Sequence, residues 1–219
     1  AHARRLGATD AGAEASEGCG LSVSVRKGDL ENIERNRDKS LGITVYLGQR
    51  RGNASTSDFS SEAIERTVQA AYDIARFTAE DPAAGLPDDA DIARHHPELD
   101  LFHPWAIDSE AATELALRCE AAALQTDARI TNSEGAGFGS VVGETVLANS
   151  QGLVASYKTS GCSLYCQPLA EQDGKKQVDY DYAYVRDWSK MESAETIGHR
   201  AAERVLRKLG AKKVPTQTA

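Results

Sequence analysis

Aromatic residues make up only 6% of this 219-residue chain, and Met occurs once. A core must therefore be assembled mainly from Ala, Val, Leu and Ile, with small side chains in close approach. No apolar run nears the roughly 20 residues of a membrane-spanning helix, and no signal-peptide pattern is visible, so a cytoplasmic protein is the expectation. Positive charge is in deficit, with 25 Lys and Arg against 33 Asp and Glu, a net charge of -8 and a pI near 5.2. Neutralising phosphates takes clustered Lys and Arg, so nucleic acid is not an expected partner. Arg4-Arg5 and Lys212-Lys213 read as solvated ends. The four Cys, at 19, 119, 162 and 166, lack the spacing of a disulfide framework and read as reduced core thiols. Cys162 and Cys166 would lie on one strand face about 13 Å apart, too far for a disulfide or a shared zinc.

What is present begins with a repetition. Thr9-Asp10-Ala11 followed by Ser16-Glu17-Gly18-Cys19-Gly20 recurs as Thr126-Asp127-Ala128 followed by Ser133-Glu134-Gly135-Ala136-Gly137, 117 positions later with the same internal offset. An internal duplication is the simplest reading. After the first signature, Leu21 to Arg26 alternate as a strand, Lys27-Gly28-Asp29 is a turn, and a second run reaches Glu34. A strand at Leu41–Leu47, a turn at Gln49–Gly52 and a polar strand to Ser57 follow. A helix with Ser60 or Ser61 as N-cap then carries Ile64, Val68, Ala71 and Ala75 on one face.

The second copy repeats that order with longer arms: Phe138–Ser150, a Gln151-Gly152 turn, Leu153–Thr159, Ser163–Ala170, an Asp173-Gly174 turn and Gln177–Val185. Its last helix starts near Ser193, buries Ile197, Ala201, Val205 and Leu209, and stops at Gly210. A helix capped by Asp108 precedes the second signature, with Ala112, Leu115, Cys119 and Ala122 on one face and Leu117, Ala121 and Leu124 on another. Before the first signature, Ala3–Gly7 reads as the end of such a helix, so about ten preceding residues are expected to be missing.

The fold expected is α+β: a duplicated unit of helix, two β-hairpins and helix, mainly antiparallel sheets with helices packed against them. Residues 1–77 form the first repeat, 78–105 a Pro- and Asp-rich linker, 106–211 the second repeat, and 212–219 the start of a connection to a further half. Leu99, Leu101, Phe102 and Trp105 are the side chains expected to pin the linker.

His95, His96 and His103 fall in that linker with Glu98 and Asp100 between them. Zinc needs three or four donors converging at about 2 Å, which a Pro-broken segment does not arrange, so no metal ligand is assigned in this chain. No Gly-x-Ser-x-Gly elbow, phosphate loop, dinucleotide fingerprint or zincin helix occurs, so no catalytic and no cofactor-binding residue is assigned either. Gly135, Gly137, Phe138 and Gly139 stand in a strand pattern where closely spaced Gly marks a bulge or the approach of another backbone. They are the candidate contacts for a peptide or a partner strand.

Leu41-Gly42-Ile43-Thr44-Val45-Tyr46, Asp100-Leu101-Phe102-His103-Pro104 and Ile130-Thr131-Asn132-Ser133-Glu134-Gly135, in this order, resemble the N-terminal half of the TldD/PmbA family in its PmbA (TldE) branch. The resemblance implies a two-subunit, zinc-dependent peptidase of the bacterial cytoplasm, tied to peptide maturation and once called a modulator of DNA gyrase. In that family the zinc is held by the TldD-type subunit through a His-Glu-x-x-x-His helix, which this chain lacks. The implied function is that of the N-terminal domain of the PmbA (TldE)-like, non-catalytic subunit of a heterodimeric zinc peptidase, in which a TldD-type subunit supplies the zinc and unfolded peptides are the substrates. The rival reading is a stand-alone module that captures peptides on a sheet edge by β-augmentation.

Overall fold

The computed structural model describes residues 1–216, so the end of the expected connection, 217–219, lies outside the described residues. The elements are α1 (His2–Arg5), β1 (Asp10–Arg26), β2 (Asp29–Leu47), β3 (Arg50–Thr56), α2 (Ser61–Phe77), α3 (Ser109–Thr126), β4 (Ile130–Asn149), β5 (Val154–Gln172), β6 (Lys175–Val178), β7 (Asp181–Val185) and α4 (Ala194–Arg207). The sheet order is β3-β2-β1-β4-β5-β6, with β7 also paired to β5. The fold is α+β, as the residue patterns suggest.

Helix boundaries follow local chemistry. Ser60, Asp108 and Ser193 each accept a hydrogen bond from the amide three residues on, which satisfies one of the orphan N–H groups at the start of α2, α3 and α4. At the other end of α4, Gly210 takes φ +74, the left-handed conformation that a side chain resists.

The strands are longer and fewer than their sequence suggests. The breaks expected at 35–40 and 160–162 do not exist: β2 and β5 run through them, so each pair of hairpins shares its middle strand. Residues 29–40 escape the alternation signal because all are exposed. In β5 the polar Ser160 is buried and satisfied, accepting from the His103 amide at 2.7 Å and donating to the Arg186 carbonyl at 3.0 Å. The turn after β2 is at Gly48-Gln49, earlier than expected, and Gly52 belongs to β3, where a Cβ would collide with the Ala71 carbonyl of α2. β4 begins at Ile130, eight positions before Phe138, and takes in the Ser133–Gly137 part of the second signature, while Thr126 ends α3. The strand expected at 177–185 is split at Asp179-Tyr180, because Asp179 turns its carboxylate to Lys208 at 3.0 Å. The two Ser-Glu-Gly signatures both lie in strands, yet Gly135 takes φ +121 while Gly18 has no positive φ. The Ser133 hydroxyl holds that kink by accepting from the Gly135 amide at 2.8 Å.

The chain forms two compact units, each drawn from both halves. The first comprises residues 1–19, 37–101 and 142–159. Its core is small: Ala3, Ala8, Ile43, Val45, Val68 and Ala71, with α2 laid on β3. The second comprises 20–36, 102–141 and 160–219, and its core joins Leu21, Val23 and Val25 of β1 to α3, α4, β4 and β5. Here Gly198 of α4 lets the two helices close together, since a Cβ there would meet the Cys119 carbonyl. Phe138, 1% exposed, stands edge-on to Trp105 and Trp188, which stack at 3.9 Å.

Of the four residues expected to pin the linker, Trp105 does so through that stack. Leu99 and Phe102 are exposed, and Ile92, which follows a single 3₁₀ turn at Asp89–Asp91, is the buried residue instead. Cys119, Cys162 and Cys166 are buried as expected, but Cys19 is exposed. It shares the parity of Leu21, Val23 and Val25, and the cover over that face begins only at Leu21.

Candidate functional site

Each unit carries a groove on its sheet. In the first unit it measures about 630 Å³ and spans four strands, from Asn53 on β3 through Thr44 on β2 and Glu14 on β1 to Asn149 on β4, with Leu86 of the linker contributing an apolar wall. Thr44 donates its hydroxyl proton to Asn53 at 2.7 Å. In the second unit the groove measures about 320 Å³, and its floor includes Gly20, Gly139 and Gly161 on β1, β4 and β5. Glu34 and Tyr184 also line it. In each groove the only charged lining residue is a carboxylate, Glu14 or Glu34, with hydroxyls and amides around it. Such surfaces offer hydrogen bonds to an extended backbone and contain no paired acid and base.

The candidate contact residues from the sequence are largely interior. Gly135 and Gly137 lie against the Val25 and Val23 carbonyls of β1, so the backbone that approaches them is the chain's own. The Tyr165 ring fills the place of the missing Gly137 side chain, and Phe138 points into the aromatic cluster. Of the four, Gly139 alone lines a groove.

The residues do not fit a zinc site. Among the described residues, no three His, Cys, Asp or Glu side chains come together as metal donors. The His103 backbone is tied to Ser160, and His95 and His96 are exposed. A histidine does meet a hydroxyl where His199 Nδ1 lies 2.9 Å from Thr126 Oγ1. The Thr126 proton, however, goes to the Ala122 carbonyl at 2.8 Å, so the imidazole is the donor and the contact ties α3 to α4. Nor are the thiols of Cys162 and Cys166 activated. A hydrogen bond with Cys119, then burial, pushes the Cys166 thiol up, and burial does the same to Cys162.

The charged groups that matter most serve position. Glu120 is 1% exposed on α3, and its two carboxylate oxygens accept from the Lys27 and Gly28 amides at 2.9 and 2.8 Å. Lys27 and Gly28 both take positive φ, 54° and 81°, the geometry of a two-residue hairpin turn that leaves its amides pointing outward. Sequence reasoning missed this lock, although Glu120 lies four residues after buried Ala116 and so on the buried stripe. Arg200 and Arg204 of α4 and Lys208 at its C-cap reach Asp179 and Asp181, the latter the first residue of β7. Burial opposes ionisation of Asp179, but the Lys208 and Tyr180 hydrogen bonds outweigh it and its pKa is lowered.

This two-part arrangement, three-stranded meanders flanked by helices, is shared with known proteins. Residues 13–75 match domain 1 of the PmbA/TldA metallopeptidases and residues 102–209 match their central domain. The metalloprotease PmbA of Escherichia coli O157:H7 is 46% identical over 204 residues, covering 93% of this chain and 45% of its own. A PmbA homolog of Haemophilus influenzae is 44% identical over 214 residues, covering 96% and 48%. A candidate modulator of DNA gyrase from Bacteroides thetaiotaomicron superposes with a TM-score of 0.87 at 25% identity over 97% of this chain and 49% of its own. TldE from Thermococcus kodakarensis shares the fold, with a TM-score of 0.76 at 16% identity over 93% and 45%. The chain belongs to the PmbA/TldD metallopeptidase family. It spans about half the length of the curated relatives it matches. Among the described residues, no helix is long and apolar enough to cross a membrane.

Proposed function

We propose that this chain is the N-terminal part of a PmbA (TldE)-like, non-catalytic subunit of a heterodimeric zinc peptidase that acts in peptide maturation and proteolysis in the cytoplasm. The observation that carries the reading is the pair of successive family matches, to domain 1 and to the central domain, on one chain. The donor chemistry agrees with it, since the side chains that do meet here are engaged in hairpin, helix and strand contacts. Zinc belongs to the TldD-type partner in this reading. The present chain contributes the enclosing surface, and its sheet grooves hold unfolded peptide in extended form by backbone hydrogen bonds. The recurring order of helix, three-stranded meander and helix supports a duplicated ancestry for 1–77 and 106–211, joined by the linker at 78–105.

The test is cleavage of unstructured peptides by the full-length protein, by its TldD-type partner, and by the two together, each with and without a chelator. Chelator-sensitive turnover should require the partner and rise when this subunit is added. Equal turnover by this subunit alone would overturn the assignment.

A further inference from the structure

The groove of the second unit holds a charge that nothing in the chain answers. Glu34 is its only charged lining residue, and the Glu34 carboxylate makes no ion pair or hydrogen bond among the described residues. Asn36, two positions on and so on the same side of β2, sets its side-chain oxygen beside Gly20, where a Cβ would lie 2.4 Å from it. Gly20 alternates with Leu21 and Val23, whose side chains enter the core shared with α3 and α4. The Glu34 side chain therefore stands on the opposite side of the sheet from those helices, where the groove runs.

Tyr184 lines the same groove. A Cβ on Gly161 would lie 2.1 Å from its hydroxyl and 2.6 Å from Cζ, so the phenol rests on bare backbone, with 53% of the residue exposed. The register of β5 with β7 sets Ser163 opposite Tyr184 and Tyr165 opposite Tyr182, which continues the aromatic surface beyond the groove. Among the described residues, no cation of the chain stacks on these rings.

An unanswered carboxylate and an open phenol in one glycine-floored groove suit a particular side chain, a long stem that ends in a cation. We propose that this groove takes an arginine side chain of an extended peptide, its guanidinium on Glu34 and its stem along Tyr184. The proposal rests on the reading of the grooves as holders of unfolded peptide and adds what this one selects. A guanidinium can both fork onto a carboxylate and stack on a ring, whereas the ammonium of lysine is a compact, strongly hydrated charge, so lysine ranks second. An acidic side chain would meet Glu34 as a like charge and ranks last.

Binding of labelled, unstructured Gly-Ser-Ala peptides to the 219-residue chain, followed by fluorescence anisotropy, tests this. One central position carries Arg, Lys, citrulline or Glu, citrulline having nearly the shape of arginine without its charge. Affinity should fall in that order, with Arg about fivefold ahead of citrulline at low salt and most of that lead gone at about 0.5 M. Glu34→Gln should erase the lead, while Glu114→Gln, the same loss of charge at an exposed position of α3, should keep it. Tyr184→Leu should narrow the gap between Arg and Lys. Glu34 and Tyr184 are exposed, so the fold survives both changes, which circular dichroism verifies. Equal binding of all four peptides overturns the proposal and leaves the peptide-holding reading standing, and binding of none overturns both. An arginine preference that outlives Glu34→Gln also overturns it, because the cation would then answer to the net charge of the chain.

Discussion

The two compact units solve the same problem with unequal means. The second places α3 and α4 over its strands and inserts three aromatic rings, so that Phe138, Leu164, Ile197 and Val205 are all under 2% exposed. The first has one long helix, α2, and depends on Ala71, Ala75, Val45 and Val68. It also bears the larger groove. Stability scales with apolar area removed from water, so the second unit is the expected source of most of the fold's resistance to unfolding, and the first of its local openings.

Four experiments would break or sharpen that contrast. The largest effect is expected from Phe138→Ala, which removes the ring against which Trp105 and Trp188 stand edge-on. It should cost about 4 kcal/mol in urea unfolding and collapse the near-ultraviolet signal of the tryptophans. A cost below about 1 kcal/mol would show that the aromatic cluster is not the keystone of the second unit.

Next comes Glu120→Ala, which strips both carboxylate hydrogen bonds from the Lys27-Gly28 turn and leaves its two amides without their protein acceptor. About 3 kcal/mol is expected, with Glu120→Gln losing less because it keeps one acceptor. Amide exchange at Lys27 and Gly28 should accelerate in both variants, and unchanged protection would mean that the turn needs no lock.

Val45→Ala probes the smaller core and should cost about 2 kcal/mol. Its mark is regional: hydrogen exchange should rise in β3 and α2 while α3 and β4 stay protected. Uniform acceleration across both would dissolve the distinction between the units.

The smallest effect is that of acid on the second unit. Asp179 has a lowered pKa in the folded state, so the stabilisation it gives is present above the ordinary carboxylate value, near pH 4, and is lost as pH falls through the lowered one. Proton titration by NMR should find Asp179 below the ordinary range and Asp127 at about 2, held there first by the Arg129 side-chain hydrogen bond. Arg204→Ala and Lys208→Ala should each return Asp179 towards its usual value; an unmoved titration would remove α4 from the account.

Much of the helical framework was legible because helices announce themselves locally. Ser60, Asp108 and Ser193 are caps whose side-chain oxygens act within three residues, and Val68, Ala71, Ile197, Ala201 and Val205 show the period of a helix face. Turns with Gly at positive φ, at Gly28, Gly152 and Gly174, were equally local. The candidate site was far less legible. Gly135 and Gly137 signalled a close backbone, but nothing in their neighbourhood of sequence says that the backbone is β1, more than a hundred positions away.

By itself, then, the sequence determined the α+β class, the helix ends, the hairpin turns and the membership of a family whose motifs it carries, all of which rest on contacts between near neighbours or on matched residue order. Tertiary structure decided the rest. The polar run at Arg35–Ser40 became strand because a ladder rewards backbone pairing whatever the side chains are, and Glu120 became an interior lock because a turn from another element delivered two amides to it. Cys19 stayed outside although its parity is that of Leu21, since burial needs a covering element and alternation only chooses the face.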